Sequence, residues 1–89
     1  MHREHMEAIA KMYKITQRLK ELGRFGAYAT TLFGHDRRAV GVSIEKAFDA
    51  YTAQHPGDDR EYVMAALRRA QGSRPMVLVF ADSALGQMA

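Results

Sequence analysis

The chain has 89 residues, of which 47% are hydrophobic and 26% are charged, and its formal net charge is +3. This length accommodates one domain with a small core, so we expect a single domain over residues 1–89. The absence of cysteine from these residues excludes disulfides, thiolate metal sites and a cysteine nucleophile.

Residues 4–22 are predicted to form the first helix. One set of apolar residues recurs at steps of three and four and so lies on one side of a helix: Ala8, Met12, Ile15, Leu19 and Leu22. Gly23 follows, and glycine is the usual residue just past a helix end. We therefore expect this side of the helix to face the core.

The same helix carries a second set of residues that widens its apolar face, namely Met6, Ile9, Tyr13 and Thr16. Together the two sets cover roughly 200° of the circumference, against the ~100° stripe that a surface helix needs. A face this wide has to be covered from two directions, and we expect the second cover to be another subunit. The alternative is that the C-terminal tail, through Leu85 and Met88, folds back over it.

The next stretch is predicted to be an antiparallel hairpin. Residues 24–33 are rich in aromatic and β-favouring side chains, and the run ends at a turn formed by Gly34, His35 and Asp36. Residues 37–42 can return as the second strand. A continuation of the first helix through residues 27–32 is the other interpretation of this stretch.

Two shorter helices and a strand complete the predicted fold. Ser43 is expected to cap a helix that ends before Pro56, and Asp58 with Glu61 is expected to form a capping box that opens the third helix. Residues 76–80 are continuously apolar and rich in β-branched side chains, which is typical of a strand buried on both faces. We expect this strand at the centre of the sheet, beside one hairpin strand.

These elements predict an α+β fold in the order α–β–β–α–α–β, with helices packed on the sheet. The longest apolar run, residues 76–81, is far shorter than the ~18 residues of a membrane span. The first residues alternate apolar and charged side chains at helical spacing, unlike a secretory signal. We therefore expect a cytoplasmic protein.

Charge is unevenly distributed along the chain. Seven basic residues lie between positions 11 and 38 against two acidic ones, Glu21 and Asp36: Lys11, Lys14, Arg18, Lys20, Arg24, Arg37 and Arg38. If the first helix packs along the hairpin, six of them could form a cationic surface that contacts nucleic-acid phosphates: Lys11, Lys14, Arg18, Arg24, Arg37 and Arg38. The simpler interpretation is solvated charge, because Glu7 and Lys11 form a favourable helical pair.

Signals of catalysis or metal binding are weak. His2 and His5 share a possible helix face, but zinc requires three or four ligands in fixed geometry. His35 beside Asp36 is the best candidate for a catalytic base, and a turn made by Gly34 and Asp36 explains the same residues more simply. We expect no enzyme activity, no cofactor and no metal.

The sequence favours a non-enzymatic binding protein that acts through a protein–protein interface, as an adaptor, inhibitor or other regulator. We predict a homodimer through helix 4–22, with Met6, Ile9, Tyr13 and Thr16 at the interface. A nucleic-acid-binding module that uses the cationic residues between positions 11 and 38 is the alternative.

Overall fold

The computed structural model describes residues 2–23 and 39–88. Over these residues the chain forms α1 (His2–Gly23), β1 (Ala39–Val42), α2 (Ile44–Gln54), α3 (Arg60–Gln71) and β2 (Val77–Phe80). A short 3₁₀ helix, Gly86–Met88, follows. The result is a small α+β domain in which three helices accompany a two-stranded antiparallel sheet.

The predicted order α–β–β–α–α–β is not what the described residues show, because their order is α–β–α–α–β. The second predicted hairpin strand corresponds to β1. The first one, at residues 24–33, and the turn around His35 lie outside the described residues. The strand paired with β1 is β2, which joins it antiparallel with Ala39 opposite Phe80 and Val42 opposite Val77. The pairing of the last strand with residues 39–42 is therefore confirmed, whereas its expected central position is wrong for the sheet of the described residues, which has two strands.

Side-chain caps fix the starts of α2 and α3. The Ser43 hydroxyl accepts a hydrogen bond from the Lys46 amide at 3.2 Å, which confirms the predicted cap of α2. At α3 the cap is Asp59, whose carboxylate accepts from the Glu61 amide at 3.0 Å. The predicted cap Asp58 is wrong, because its carboxylate instead binds groups from α1 and α2.

The core lies where α3 contacts both other helices and β2. Alternating residues of the sheet, Val42, Val77 and Val79, are buried against residues from all three helices. The helix residues that join them in the core are Ile15, Leu19, Leu22, Ala47, Tyr51, Val63, Ala66 and Leu67. The predicted core-facing side of the first helix is thus confirmed by Ile15, Leu19 and Leu22. Gly72 ends α3 with a positive φ of 61°, as glycine allows.

The C-terminal tail packs back onto the end of α1. The Leu85 side chain is fully buried, and its amide donates to the Leu22 carbonyl at 3.0 Å. The Ser83 hydroxyl donates to the Phe80 carbonyl at 2.5 Å and accepts from the Gly86 amide at 3.0 Å. The tail therefore closes the core beside the C-terminal end of α1.

Candidate docking surface

The outer face of α1 carries large apolar side chains that the rest of the described chain leaves uncovered. Met6 is 68% exposed, Ile9 is 56% exposed and Tyr13 is 67% exposed. On the other side of the same helix, Ile15 and Leu19 are almost completely buried. Successive residues of an α-helix are 100° apart, so the buried and the exposed sets form two stripes about 120° apart.

Thr16 continues the exposed stripe by one more turn. Its side chain is half-buried, and its hydroxyl donates to the Met12 carbonyl at 2.8 Å, so the hydroxyl is satisfied within the helix. The structure therefore brings the four predicted interface residues onto one helix face. We name this face, Met6, Ile9, Tyr13 and Thr16, the outer stripe.

A shallow groove of about 490 Å³ runs along the outer stripe from Ile9 to Thr16 and reaches α3. Ile9, Met12 and Tyr13 form its apolar floor, and Lys20 and Arg69 lie at its C-terminal end. Such a groove is long and open, which suits the side of another helix better than it suits a small molecule.

The proposal that the C-terminal tail covers this face is wrong. The tail does fold back, but Leu85 contacts the chain at Leu22, more than two turns beyond Tyr13. Met88 is itself 42% exposed. The tail therefore closes the end of the core and leaves the outer stripe open.

The cationic residues between positions 11 and 38 are only partly described. The Lys11 ammonium lies 5.8 Å from the centre of the Tyr62 ring, a cation–π distance. Lys11 and Lys14 line a second cavity of about 410 Å³, whose wall also contains Asp58 and Asp59. Carboxylates in that wall oppose the binding of a phosphate. Arg24, Arg37 and Arg38 lie outside the described residues.

Arg18 takes part in a partly buried network that the sequence did not predict. Its Nη1 atom lies 2.7 Å from Oδ2 of Asp58, and the hydroxyl of Tyr51 donates to the same oxygen. The network joins α1, α2 and the loop before α3. Little in the sequence indicates this network, because Tyr51 occupies an apolar position of its helix and Asp58 resembles a helix cap.

Burial and hydrogen bonding shift the pKa values within this network. Burial, followed by the hydrogen bond to Asp58, raises the pKa of Tyr51 to about 12. The Tyr51 hydroxyl and the Arg18 guanidinium together hold the pKa of Asp58 below its usual range. The two groups therefore stay in the protonation states that their hydrogen bond requires, which is the behaviour of a structural network.

Two histidine side chains that the structure describes, His5 and His55, lie in different surroundings. The His55 ring packs on Tyr51 with centroids 5.0 Å apart, and His5 lies in the groove beside the outer stripe. His35 and Asp36, the candidate catalytic pair, lie outside the described residues. Within residues 2–23 and 39–88, no three histidine or acidic side chains are close enough to hold a metal ion.

Of the helices in the described ranges, none combines the length and the apolar character needed to cross a bilayer. A comparison with protein-family models, with curated proteins and with solved structures found no match in any of the three.

Proposed function

We propose that this chain is a non-enzymatic binding domain that acts through a protein–protein interface, as an adaptor or inhibitor. Its docking surface is the outer stripe of α1, and the occupant of that surface is a second copy of the chain. The observation that carries the proposal is the row of exposed apolar side chains at Met6, Ile9 and Tyr13.

Burial energetics support an occupied surface. Each large apolar side chain gains about 1.5–3 kcal/mol when it is moved fully from water into a packed environment. Three such side chains in successive turns of one helix form a contiguous patch, whereas scattered single residues are ordinary at a protein surface. Burial of the outer stripe therefore contributes favourable free energy to association.

The spacing of the stripe supports a helical occupant. Met6, Ile9, Tyr13 and Thr16 are separated by three, four and three residues. This alternation is the seam spacing of helices that pack side by side, with each residue inserted between residues of the facing helix. A second α1 offers the matching seam.

The alternative function, nucleic-acid binding, has no comparable support among the described residues. The Arg18 guanidinium is engaged by Asp58, and Lys11 lies over Tyr62. A phosphate would have to compete with Asp58 for the Arg18 guanidinium.

The test is the molar mass in solution, measured by light scattering over a range of concentrations up to about 0.5 mM, where an interface of small area still associates. We expect a dimer mass for the natural chain and a monomer mass for the double variant Ile9→Glu, Tyr13→Glu. The control Lys14→Glu adds a carboxylate to the charged side of the same helix and should stay dimeric. A natural chain that is monomeric at every concentration overturns the proposal.

A further inference from the structure

We infer that two copies pair through their α1 helices in antiparallel orientation, crossing level with residue 11, so that Met6 faces Thr16 of the other copy and Ile9 faces its Tyr13. This inference rests on the proposed function and specifies its geometry. It follows from three properties of the outer stripe: its spacing, the sizes of its side chains and the charges at its ends.

The spacing of its four residues allows the outer stripe of one copy to pair with the outer stripe of another. Positions 6 and 16, and positions 9 and 13, are symmetric about position 11. A twofold axis at that level therefore aligns all four residues with residues of the same stripe, as a symmetric dimer interface requires. No residue of the stripe is left without a counterpart.

Side-chain sizes favour the antiparallel pairing. In this orientation a long residue, Met6, lies opposite a short one, Thr16, and the aromatic Tyr13 lies opposite the aliphatic Ile9. A parallel pairing instead stacks Tyr13 on Tyr13 and Thr16 on Thr16, which alternates crowded layers with underfilled ones. Interfaces are close-packed, so the evenly filled layers are the more stable arrangement.

Positive charge at the C-terminal end of the groove also favours the antiparallel orientation over the parallel one. Lys20 continues the stripe by one turn, and Arg69 of α3 lies beside it. A parallel pair brings both copies of these cations to one end. In the antiparallel pair the two Lys20 positions are about 27 Å apart along the helices at 1.5 Å per residue. That distance is several times the screening length of ~8 Å at physiological salt.

The interface is small, because only four residues of each copy form the seam. A standard stable interface buries about 800 Å² on each partner, and one face of a helix of this length supplies less. We therefore expect a dimer whose dissociation constant lies in the micromolar range, so that the proportion of dimer rises with concentration.

Cysteine cross-linking tests the orientation, since the natural chain has no cysteine. The variants Met6→Cys and Thr16→Cys are oxidised separately and as an equimolar mixture, with Lys14→Cys on the charged side of α1 as the background control. Circular dichroism of each variant verifies the fold. A disulfide needs Cα atoms within about 7 Å, whereas identical positions at 6 or at 16 lie about 15 Å apart in the antiparallel pair.

We expect a cross-linked dimer in the mixture at several times the yield of either variant alone. Efficient cross-linking of each variant with itself would show a parallel pair and overturn the inference while leaving the dimer intact. Absence of cross-links above the Lys14→Cys background, with a dimer mass for the natural chain, would also overturn it. A monomer mass for the natural chain at all concentrations overturns the proposed function itself.

Discussion

The Tyr51 hydroxyl of α2 donates a hydrogen bond to the Asp58 carboxylate, and the Arg18 guanidinium of α1 binds the same carboxylate oxygen. Tyr51 is fully buried, so its hydroxyl can reach no water, and Asp58 is its partner. This contact determines which of two adjacent aspartates caps α3, because Asp58 is held away from the helix and Asp59 takes the capping position. The two tertiary contacts of Asp58 thus accompany a helix that is capped one residue later than its sequence predicts.

Removal of the Tyr51 hydroxyl should destabilise the fold. In Tyr51→Phe the Asp58 carboxylate keeps Arg18 but loses a buried donor, and a hydrogen bond to a charged group contributes about 1.5–3 kcal/mol. We expect the free energy of unfolding, measured by urea denaturation, to fall by about that amount. Tyr62→Phe is the matched control, since Tyr62 is only half-buried and its ring packs on Lys11. Equal losses in the two variants would contradict this role of Asp58.

The raised pKa of Tyr51 predicts a loss of stability at high pH. The unfolded tyrosine ionises near its ordinary pKa of 10, whereas the folded one ionises near 12. The stabilisation from the protonated hydroxyl is therefore complete below about pH 10 and is lost as the pH rises to about 12. Denaturation of the natural chain at several pH values, compared with Tyr51→Phe, should show an additional decline that the variant lacks. Parallel curves for the two proteins would disprove the assignment.

Gly86 should tolerate no side chain. A Cβ atom at this position would lie 1.9 Å from the Phe80 carbonyl oxygen, and that oxygen is fixed by the Ser83 hydroxyl. We expect Gly86→Ala to lower the free energy of unfolding by about 2–3 kcal/mol, through overpacking of the closed tail. Gly57→Ala is the control, because a Cβ there would have no atom within 4 Å, and it should change stability by less than about 1 kcal/mol. A stable Gly86→Ala variant would mean that the tail is not packed against β2.

Binding to nucleic acid should be undetectable at about 50 mM salt for random DNA and RNA. Two of the described cations between positions 11 and 38 are engaged, Arg18 by Asp58 and Lys11 by the Tyr62 ring. Lys14 lines a cavity whose wall contains carboxylates. Fluorescence anisotropy with labelled duplex and single-stranded probes measures this directly. An affinity that falls with salt by about 0.9 log unit per log unit for each phosphate contacted would instead support the cationic surface between positions 11 and 38.

The local elements of this fold were largely predictable because their signals are short-range. The inner sides of the helices follow from the periodicity of apolar residues, and the cap at Ser43 and the stop at Gly72 follow from chemistry within one turn. The exception is the cap of α3. Asp58 and Asp59 are chemically identical and adjacent, so only distant partners could distinguish them.

Helical periodicity alone predicts that α1 has more apolar circumference than one core can cover. It also predicts which residues form the excess, because it assigns each residue to a face. Which part of this circumference is covered depends on long-range packing. The core packs on the side of Ile15 and Leu19, and the tail closes the end at Leu22. These contacts depend on residues at least twenty positions away. Tertiary packing thereby leaves Met6, Ile9 and Tyr13 in contact with water.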